Sequence, residues 1–159
     1  MAMKNPAKLL AVVAMLMTPS VALAEGNSIT RSNPEGAPDT SQMGYSQVSV
    51  VESGRLAFIS GQVAWKEPFG IAPESLADQT AVVLENADAI LKELGASKQD
   101  IAVMRIYVTD LTPDRMGAMF PQVISWLDGA APSLTGVGVS ALAAPDLQIE
   151  MEMTVSLPN

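Results

Sequence analysis

The chain has 159 residues, a length that suits one domain, and 48% of them are hydrophobic. It contains no Cys and no His, which excludes disulfide scaffolds, Cys/His zinc sites and catalysis by either side chain. With 17 acidic and 9 basic residues the net charge is −8, which argues against binding nucleic acid through its phosphates.

The N-terminus has the features of an export signal. Two lysines begin a segment whose apolar run, Leu9 to Met17, is nine residues long, and residues 21–24 give the small-x-small pattern of a cleavage site. The run is shorter than the roughly 20 residues that span a bilayer. We therefore predict a signal peptide over residues 1–24, a periplasmic or secreted location and no membrane attachment after cleavage. The alternative is a buried N-terminal helix.

The next segments predict a leader and two strands. Residues 25–43 are rich in Asn, Ser, Pro, Gly and Asp without periodicity, which predicts a mobile leader along the surface. From residue 44 onwards the pattern predicts one folded domain, 44–159. Within it, Gln47–Val51 and Leu56–Ser60 are short β-rich runs separated by Glu52-Ser53-Gly54-Arg55, which predicts a hairpin.

Two helices and a strand follow. Ser75 predicts the N-cap of a first helix that carries one apolar stripe, and Gly95 predicts its end. Ile101–Thr109 is rich in β-branched residues and predicts a strand. Residues 112–129 predict a second helix, with a Thr-Pro-Asp start and an Asp-Gly end. Pro121 lies inside it and predicts a kink or a break.

The stretch from Pro132 to Ser156 predicts two more strands around a turn at Ala144-Pro145-Asp146. In the second strand the apolar residues Ile149, Met151, Met153 and Val155 alternate with Gln148, Glu150, Glu152 and Thr154. A period of two predicts one buried face and one polar face that carries two carboxylates. In the first strand, the residues that alternate with the valines are Gly136, Gly138 and Ser140. This nearly bare face favours either an edge that a partner covers or a binding floor. From the residues alone, the two carboxylates favour the solvated face of an edge strand.

The predicted order of elements is β-β-α-β-α-β-β. It favours an α+β sandwich in which two helices pack on one face of a mostly antiparallel or mixed sheet. The other face of the sheet would be open in a monomer, so we expect self-association.

A series of short segments carries a family resemblance. They are Asn33-Pro34-Glu35, Gly44-Tyr45-Ser46-Gln47, Phe58-Ile59-Ser60-Gly61-Gln62, Gln79 with Asn86, Ile106-Tyr107-Val108-Thr109-Asp110-Leu111, Pro132 and Gln148-Ile149-Glu150-Met151-Glu152. In this order and spacing the chain resembles the Rid family, also called YjgF/YER057c/UK114. The resemblance implies a chorismate-mutase-like fold, a homotrimer with sheets lining a central barrel, and ligand clefts between subunits. It also implies hydrolysis of reactive imines, such as 2-aminoacrylate, to 2-keto acids and ammonia without a metal or organic cofactor.

The resemblance also implies site residues. In the family's deaminases an arginine on the penultimate strand holds the substrate carboxylate, because a planar guanidinium binds it bidentately. A glutamate on the last strand positions the attacking water. Leu134 stands in the arginine's place here, and Glu152 matches the glutamate. Tyr45, Ser60 and Gly61 match cleft-lining positions, and Arg105 is a candidate substitute for the arginine.

Three functions remain as alternatives. The first is a small-molecule-binding protein, in which an apolar floor of Leu134, Gly136 and Gly138 beside Glu152 favours a neutral or cationic ligand and still allows hydrolysis of it. The second is an imine deaminase of the 2-iminopropanoate/2-iminobutanoate type. The third is a trimeric protein-interaction or chaperone-like protein. We expect no cofactor, no metal and no nucleic-acid partner.

Overall fold

The computed structural model describes residues 29–52 and 54–158, so the predicted signal peptide, residues 1–24, lies outside the described residues. The strands are β1 (Ile29–Ser32), β2 (Val48–Val51), β3 (Arg55–Val63), β4 (Ile101–Thr109), β5 (Ser133–Val139) and β6 (Ile149–Leu157). The helices are α1 (Leu76–Glu93) and α2 (Pro113–Leu127), with short 3₁₀ helices at Ser41–Met43 and Lys98–Asp100. None of the helices in this part of the chain has the length and apolar character that crossing a membrane requires.

The main sheet has four strands in the order β3-β6-β4-β5. The pairs β3–β6 and β4–β6 are antiparallel, and β4–β5 is parallel. Both helices pack on one face of this mixed sheet, which confirms the predicted α+β class. The core lies between the helices and the alternate residues of the two central strands, which are almost fully buried: Met104, Ile106, Val108, Ile149, Met151, Met153 and Val155. We refer to the other side of the sheet as the open face.

Both helix starts are confirmed, because each has the predicted cap. The Ser75 hydroxyl accepts the backbone N–H of Asp78 at 3.1 Å, and the Thr112 hydroxyl accepts that of Arg115 at 3.3 Å. The predicted break at Pro121 does not occur, since α2 is one helix from Pro113 to Leu127. Its buried residues on both sides of the proline, Met119, Val123 and Leu127, hold the two halves against the same core.

The strand pairing differs from the prediction at the first pair. The strands β2 and β3 form no hairpin: β2 pairs with β1, and β3 pairs with β6. At the end of the chain, α2 carries the backbone across so that β5 lies parallel to β4 at the edge of the sheet. The last strand, β6, then inserts between β3 and β4. Glu150 and Glu152 therefore lie on a central strand, and the edge-strand explanation for them is wrong.

The prediction of a mobile leader is wrong for residues 29–43. Ile29–Ser32 is a strand, and the Arg31 guanidinium donates to the backbone oxygens of Gln99 at 2.8 Å and Ile101 at 2.9 Å. Further along, the Asn33 side-chain oxygen accepts from the Thr40 hydroxyl and from the backbone N–H of Gln47. These long-range contacts fix a segment whose composition alone suggests a loop.

Candidate functional site

A cluster of polar side chains occupies the centre of the open face. Arg105 on β4 and Glu152 on β6 are direct partners in the strand register. Nη1 of Arg105 donates to Oε1 of Glu152 at 2.7 Å, and the Tyr107 hydroxyl donates to the same oxygen at 3.3 Å. The two charged side chains are 51% and 36% exposed, so the ion pair stabilises the fold by no more than about 1 kcal/mol. Its main effect is to fix the orientation of the Glu152 carboxylate.

Tyr107 is a member of this cluster that the sequence did not single out as a site residue. It is the register partner of Glu150 and lies two residues after Arg105, so it is on the same face. Loss of solvation raises the pKa of the Tyr107 phenol, and the negative charges of Glu152 and Glu150 raise it further, while Arg105 opposes them. Side chains alternate along β4, so every second residue from Arg105 lies on the same side of the sheet. This alternation could have identified Tyr107 from the sequence.

Titration of Tyr107 tests this cluster. In a Tyr45→Phe background, in which Tyr107 is the only remaining tyrosine, we expect phenolate absorbance to develop above the usual pH of a tyrosine. Folding raises the pKa of this phenol. The stabilising effect of the neutral phenol is therefore present below the pKa that Tyr107 has in the unfolded chain, and it is lost as the pH rises through the pKa of the folded protein. Glu152→Gln should move the titration back towards the usual value, and Glu93→Gln on the exposed end of α1 should leave it in place. Equal shifts in both variants would contradict the assignment.

A second candidate site, the apolar pocket, lies on the helix side of the sheet. Its cavity volume is about 290 Å³, and it is lined by Met43, Tyr45, Ile106, Met116, Met119, Phe120, Leu134 and Gly136. Leu134 and Gly136 are the register partners of Met104 and Ile106, which face the helices. The pocket therefore lies between β5, β4 and α2. The structure brings Tyr45 and Leu134 together here.

The structure does not bring Leu134 and Glu152 together within one chain. Leu134 pairs with Met104, Glu152 pairs with Arg105, and neighbouring residues of a strand point to opposite faces. The predicted apolar floor of Leu134, Gly136 and Gly138 beside Glu152 is therefore wrong for the single chain. Arg105, whose orientation the sequence left open, is on the side of Glu152.

Ser60 and Gly61 lie at an irregularity of β3, where the register with β6 shifts between Ile59 and Gln62. Ser60 is exposed, whereas Gly61 is covered by the side chain of Glu150. A Cβ atom on Gly61 would be 1.8 Å from Oε1 of Glu150, so a larger residue there would displace this flexible side chain. These two residues thus adjoin Glu150 and line neither the apolar pocket nor the space beside Glu152.

The two candidate sites differ in charge. The open-face cluster contains one cation, Arg105, and two carboxylates, Glu150 and Glu152, so it is negative at neutral pH. The apolar pocket has no charged lining residue, and its polar side chain is that of Tyr45. Residues 29–52 and 54–158 contain no group of three or more His, Cys, Asp or Glu side chains that could hold a metal ion. Neither site therefore presents a ready anchor for an anion apart from Arg105.

The fold agrees with comparisons to known proteins. The model of the family described as Endoribonuclease L-PSP matches residues 35–157. A solved structure of a Rid-family protein of unknown function from Yersinia pestis aligns with a TM-score of 0.75 at 34% identity, covering 81% of this chain and 98% of that one. The chain belongs to the Rid family. A YjgF/YER057c/UK114 member from Mycobacterium tuberculosis aligns with a TM-score of 0.56 at 28% identity, covering 82% of this chain and all of that one.

Two named relatives are also similar to this chain in sequence. A RutC family protein of Pyrococcus abyssi is 33% identical over 110 residues, which is 68% of this chain and 82% of the relative. TdcF of Escherichia coli, whose name marks it as a candidate reactive intermediate deaminase, is 30% identical over 106 residues, or 66% of this chain and 81% of TdcF. Family membership and the α+β fold thus stand on both sequence and structure.

Proposed function

We propose that this Rid-family chain binds a neutral or cationic small molecule in the apolar pocket, which Tyr45 and Leu134 help to line. The observation that carries the proposal is the absence of charge from all eight lining residues, with Leu134 at the place where the family resemblance puts a carboxylate-binding arginine. A lost charge-assisted contact weakens carboxylate binding by about 1.5–3 kcal/mol, or roughly 10- to 150-fold. The pocket therefore disfavours the carboxylate ligands of a deaminase.

A homotrimer is part of this proposal. Leu134 and Glu152 lie on opposite faces of one sheet. A cleft that contains both therefore needs two copies of the chain, of which one provides the apolar pocket and the other provides Glu152. The open face supports self-association because Leu56, Phe58 and Val137 on it are 44%, 78% and 39% exposed. In such a cleft, Glu152 favours a cation and could orient a water molecule for hydrolysis of a bound ligand.

A matched set of ligands tests the proposal. Butylamine, butyramide and 2-oxobutanoate have similar size and differ in charge. We expect butylamine and butyramide to raise the melting temperature of the mature protein, and 2-oxobutanoate to leave it unchanged, because a ligand stabilises only the state that binds it. Sedimentation should show a trimer. Stabilisation by 2-oxobutanoate alone would overturn the proposed selectivity, and a monomer in solution would overturn the shared cleft.

A second candidate function, imine deamination, is favoured by a separate observation. Arg105 lies 2.7 Å from Glu152, so a guanidinium and a water-orienting carboxylate are adjacent on the open face. Nε and Nη2 of Arg105 have no hydrogen-bond partner among the described residues and could hold a substrate carboxylate. The similarity to TdcF is consistent with this function. Hydrolysis of the C=N bond would convert the imine and one water molecule into a 2-keto acid and ammonia.

Turnover of 2-iminopropanoate, generated in solution, tests this second candidate. We expect pyruvate release above the spontaneous rate in the wild type and its loss in both Glu152→Gln and Arg105→Gln. Arg55→Gln, which removes a charge at the start of β3, is the matched control and should retain turnover. If the wild type does not exceed the spontaneous rate, this candidate fails. An activity on RNA, which the family description names, is not proposed, because a net charge of −8 repels phosphates.

A further inference from the structure

A recess at the end of the sheet is separate from both candidate sites. It has a volume of about 580 Å³ and lies where β4 ends and α2 begins, facing the loop before β6. Its lining residues are Thr109, Asp110, Arg115, Ser140, Ala141, Leu142, Ala143, Ala144, Pro145, Leu147 and Gln148. None of them lines the apolar pocket or the space beside Glu152. We refer to it as the end recess.

The guanidinium of Arg115 is held in place at this recess by neutral groups. Its Nε donates to the backbone oxygen of Thr109 at 3.1 Å, and Nη2 donates to the side-chain oxygen of Gln148 at 3.0 Å. Gln148 is fixed in turn, because its backbone N–H donates to Gln79 at 2.8 Å and its Nε2 donates to the backbone oxygen of Glu74 at 2.7 Å. A guanidinium that is already positioned loses little conformational entropy when it binds a ligand.

No described residue neutralises the charge of Arg115. The ion pairs among the described residues involve Lys66, Lys98 and Arg105, and no carboxylate oxygen there lies within 4.0 Å of Arg115. Its Nη1 donates to no acceptor in this part of the chain and is not buried. Nη2 also donates to the Thr109 hydroxyl at 3.5 Å, so one nitrogen of a fixed guanidinium, Nη1, is available to an anionic oxygen.

The end recess also contains one carboxylate and an apolar wall. Asp110 is exposed at the end of β4 and makes no hydrogen bond or ion pair among the described residues. Five of the other lining residues are aliphatic and come from a single loop: Ala141, Leu142, Ala143, Ala144 and Leu147. The recess thus offers one positive group, one negative group and an apolar surface.

We propose that the end recess binds a zwitterionic amino acid with an aliphatic side chain. Nη1 of Arg115 receives the carboxylate, Asp110 receives the ammonium group, and the alanine- and leucine-containing loop contacts the side chain. A simple anion would face Asp110 and the net charge of −8, and a simple cation would face Arg115. Only a ligand that carries both charges complements the recess.

Three ligands with the same branched skeleton test this proposal by titration calorimetry on the mature protein. They are L-leucine, 4-methylpentanoate, which lacks the ammonium group, and 3-methylbutylamine, which lacks the carboxylate. We expect leucine to bind at least about tenfold more tightly than either of the others. Arg115→Gln and Asp110→Asn should each weaken leucine binding by about tenfold or more. Asp110→Asn should also reduce the difference between leucine and 4-methylpentanoate, and Arg55→Gln should change nothing.

Several outcomes would overturn the proposal: no leucine binding at millimolar concentration, equal binding of the three ligands, or leucine binding that neither variant weakens. Arg115→Gln also removes the hydrogen bonds to Thr109 and Gln148 and could unfold the protein. In that case Asp110→Asn tests the proposal by itself. Asp110 has a φ of 47°, which Asn tolerates, and its side chain makes no hydrogen bond or ion pair with a described residue. The proposed ligand of the apolar pocket can fail without affecting this result, since the two sites share no lining residue.

Discussion

Replacing Gln79 with Met is expected to lower the free energy of unfolding by about 3 kcal/mol. Gln79 is 0% exposed on α1. Its Nε2 donates to the backbone oxygens of Pro73 at 2.8 Å and Asp146 at 2.7 Å, and its Oε1 accepts the backbone N–H of Gln148 at 2.8 Å. Met fills a similar volume and makes none of these bonds. Three backbone groups that face this buried amide then lose their partner, and each such loss costs about 1–3 kcal/mol where water does not replace it.

The matched control is Gln122→Met on α2. Gln122 also donates Nε2 to two backbone oxygens, those of Ala77 at 3.3 Å and Ala118 at 3.0 Å, but it is only half-buried and water can replace it. We expect a loss within about 0.5 kcal/mol there. Urea unfolding measures both variants, and an unchanged m-value would show that the denatured state is the same. Because Gln and Met have nearly the same helix propensity, equal losses in the two variants would show that burial does not set the cost of losing these bonds.

The importance of Gln79 extends beyond stability because of what it connects. It joins the loop before α1 to the turn that precedes β6, and it holds the backbone of Gln148. Gln148 in turn positions Arg115 in the end recess. A buried amide on a helix thus supports a charged group at the end of the sheet, through uncharged groups alone.

The sequence predicts the helices well because their determinants are local. The caps at Ser75 and Thr112 and the recurring apolar residues lie within one segment each, and the structure reproduces both starts. The alternation in β6 likewise predicts its buried and polar faces correctly. These features need no knowledge of what the segment packs against.

Strand pairing was harder to predict because it depends on distant residues. Nothing in Val48–Val51 identifies Ile29–Ser32 as its partner, and the intervening residues suggest a loop. The position of Leu134 shows the consequence for function. Its register with Met104, set by the parallel pairing of β5 with β4, decides that it faces the helices. A shift of one residue would have placed it on the open face, the same side of the sheet as Glu152. The sequence was enough to name candidate residues of a site, but their arrangement could not be predicted without knowing which strands pair.

Replacing Leu134 with Arg is expected to strengthen the binding of 2-oxobutanoate by roughly 10- to 150-fold over the wild type. Leu134 is only partly buried at the apolar pocket. An arginine there can lay its aliphatic stem along Phe120 and Met43 and keep its guanidinium near Tyr45 in contact with water. The new group supplies the bidentate anchor that the eight lining residues of the natural pocket lack.

Leu134→Gln is the control for this substitution, because it adds hydrogen-bond donors at the same position without a charge. Titration calorimetry on both variants separates the contribution of the charge from that of polarity, and a thermal melt checks that the protein is folded. If Leu134→Arg binds 2-oxobutanoate no better than Leu134→Gln, the apolar pocket is not the place where a Rid-family cleft holds a carboxylate, and Arg105 on the open face becomes the better anchor. If the charged variant alone gains affinity, the identity of residue 134 selects between ligand classes, because the rest of the pocket is unchanged.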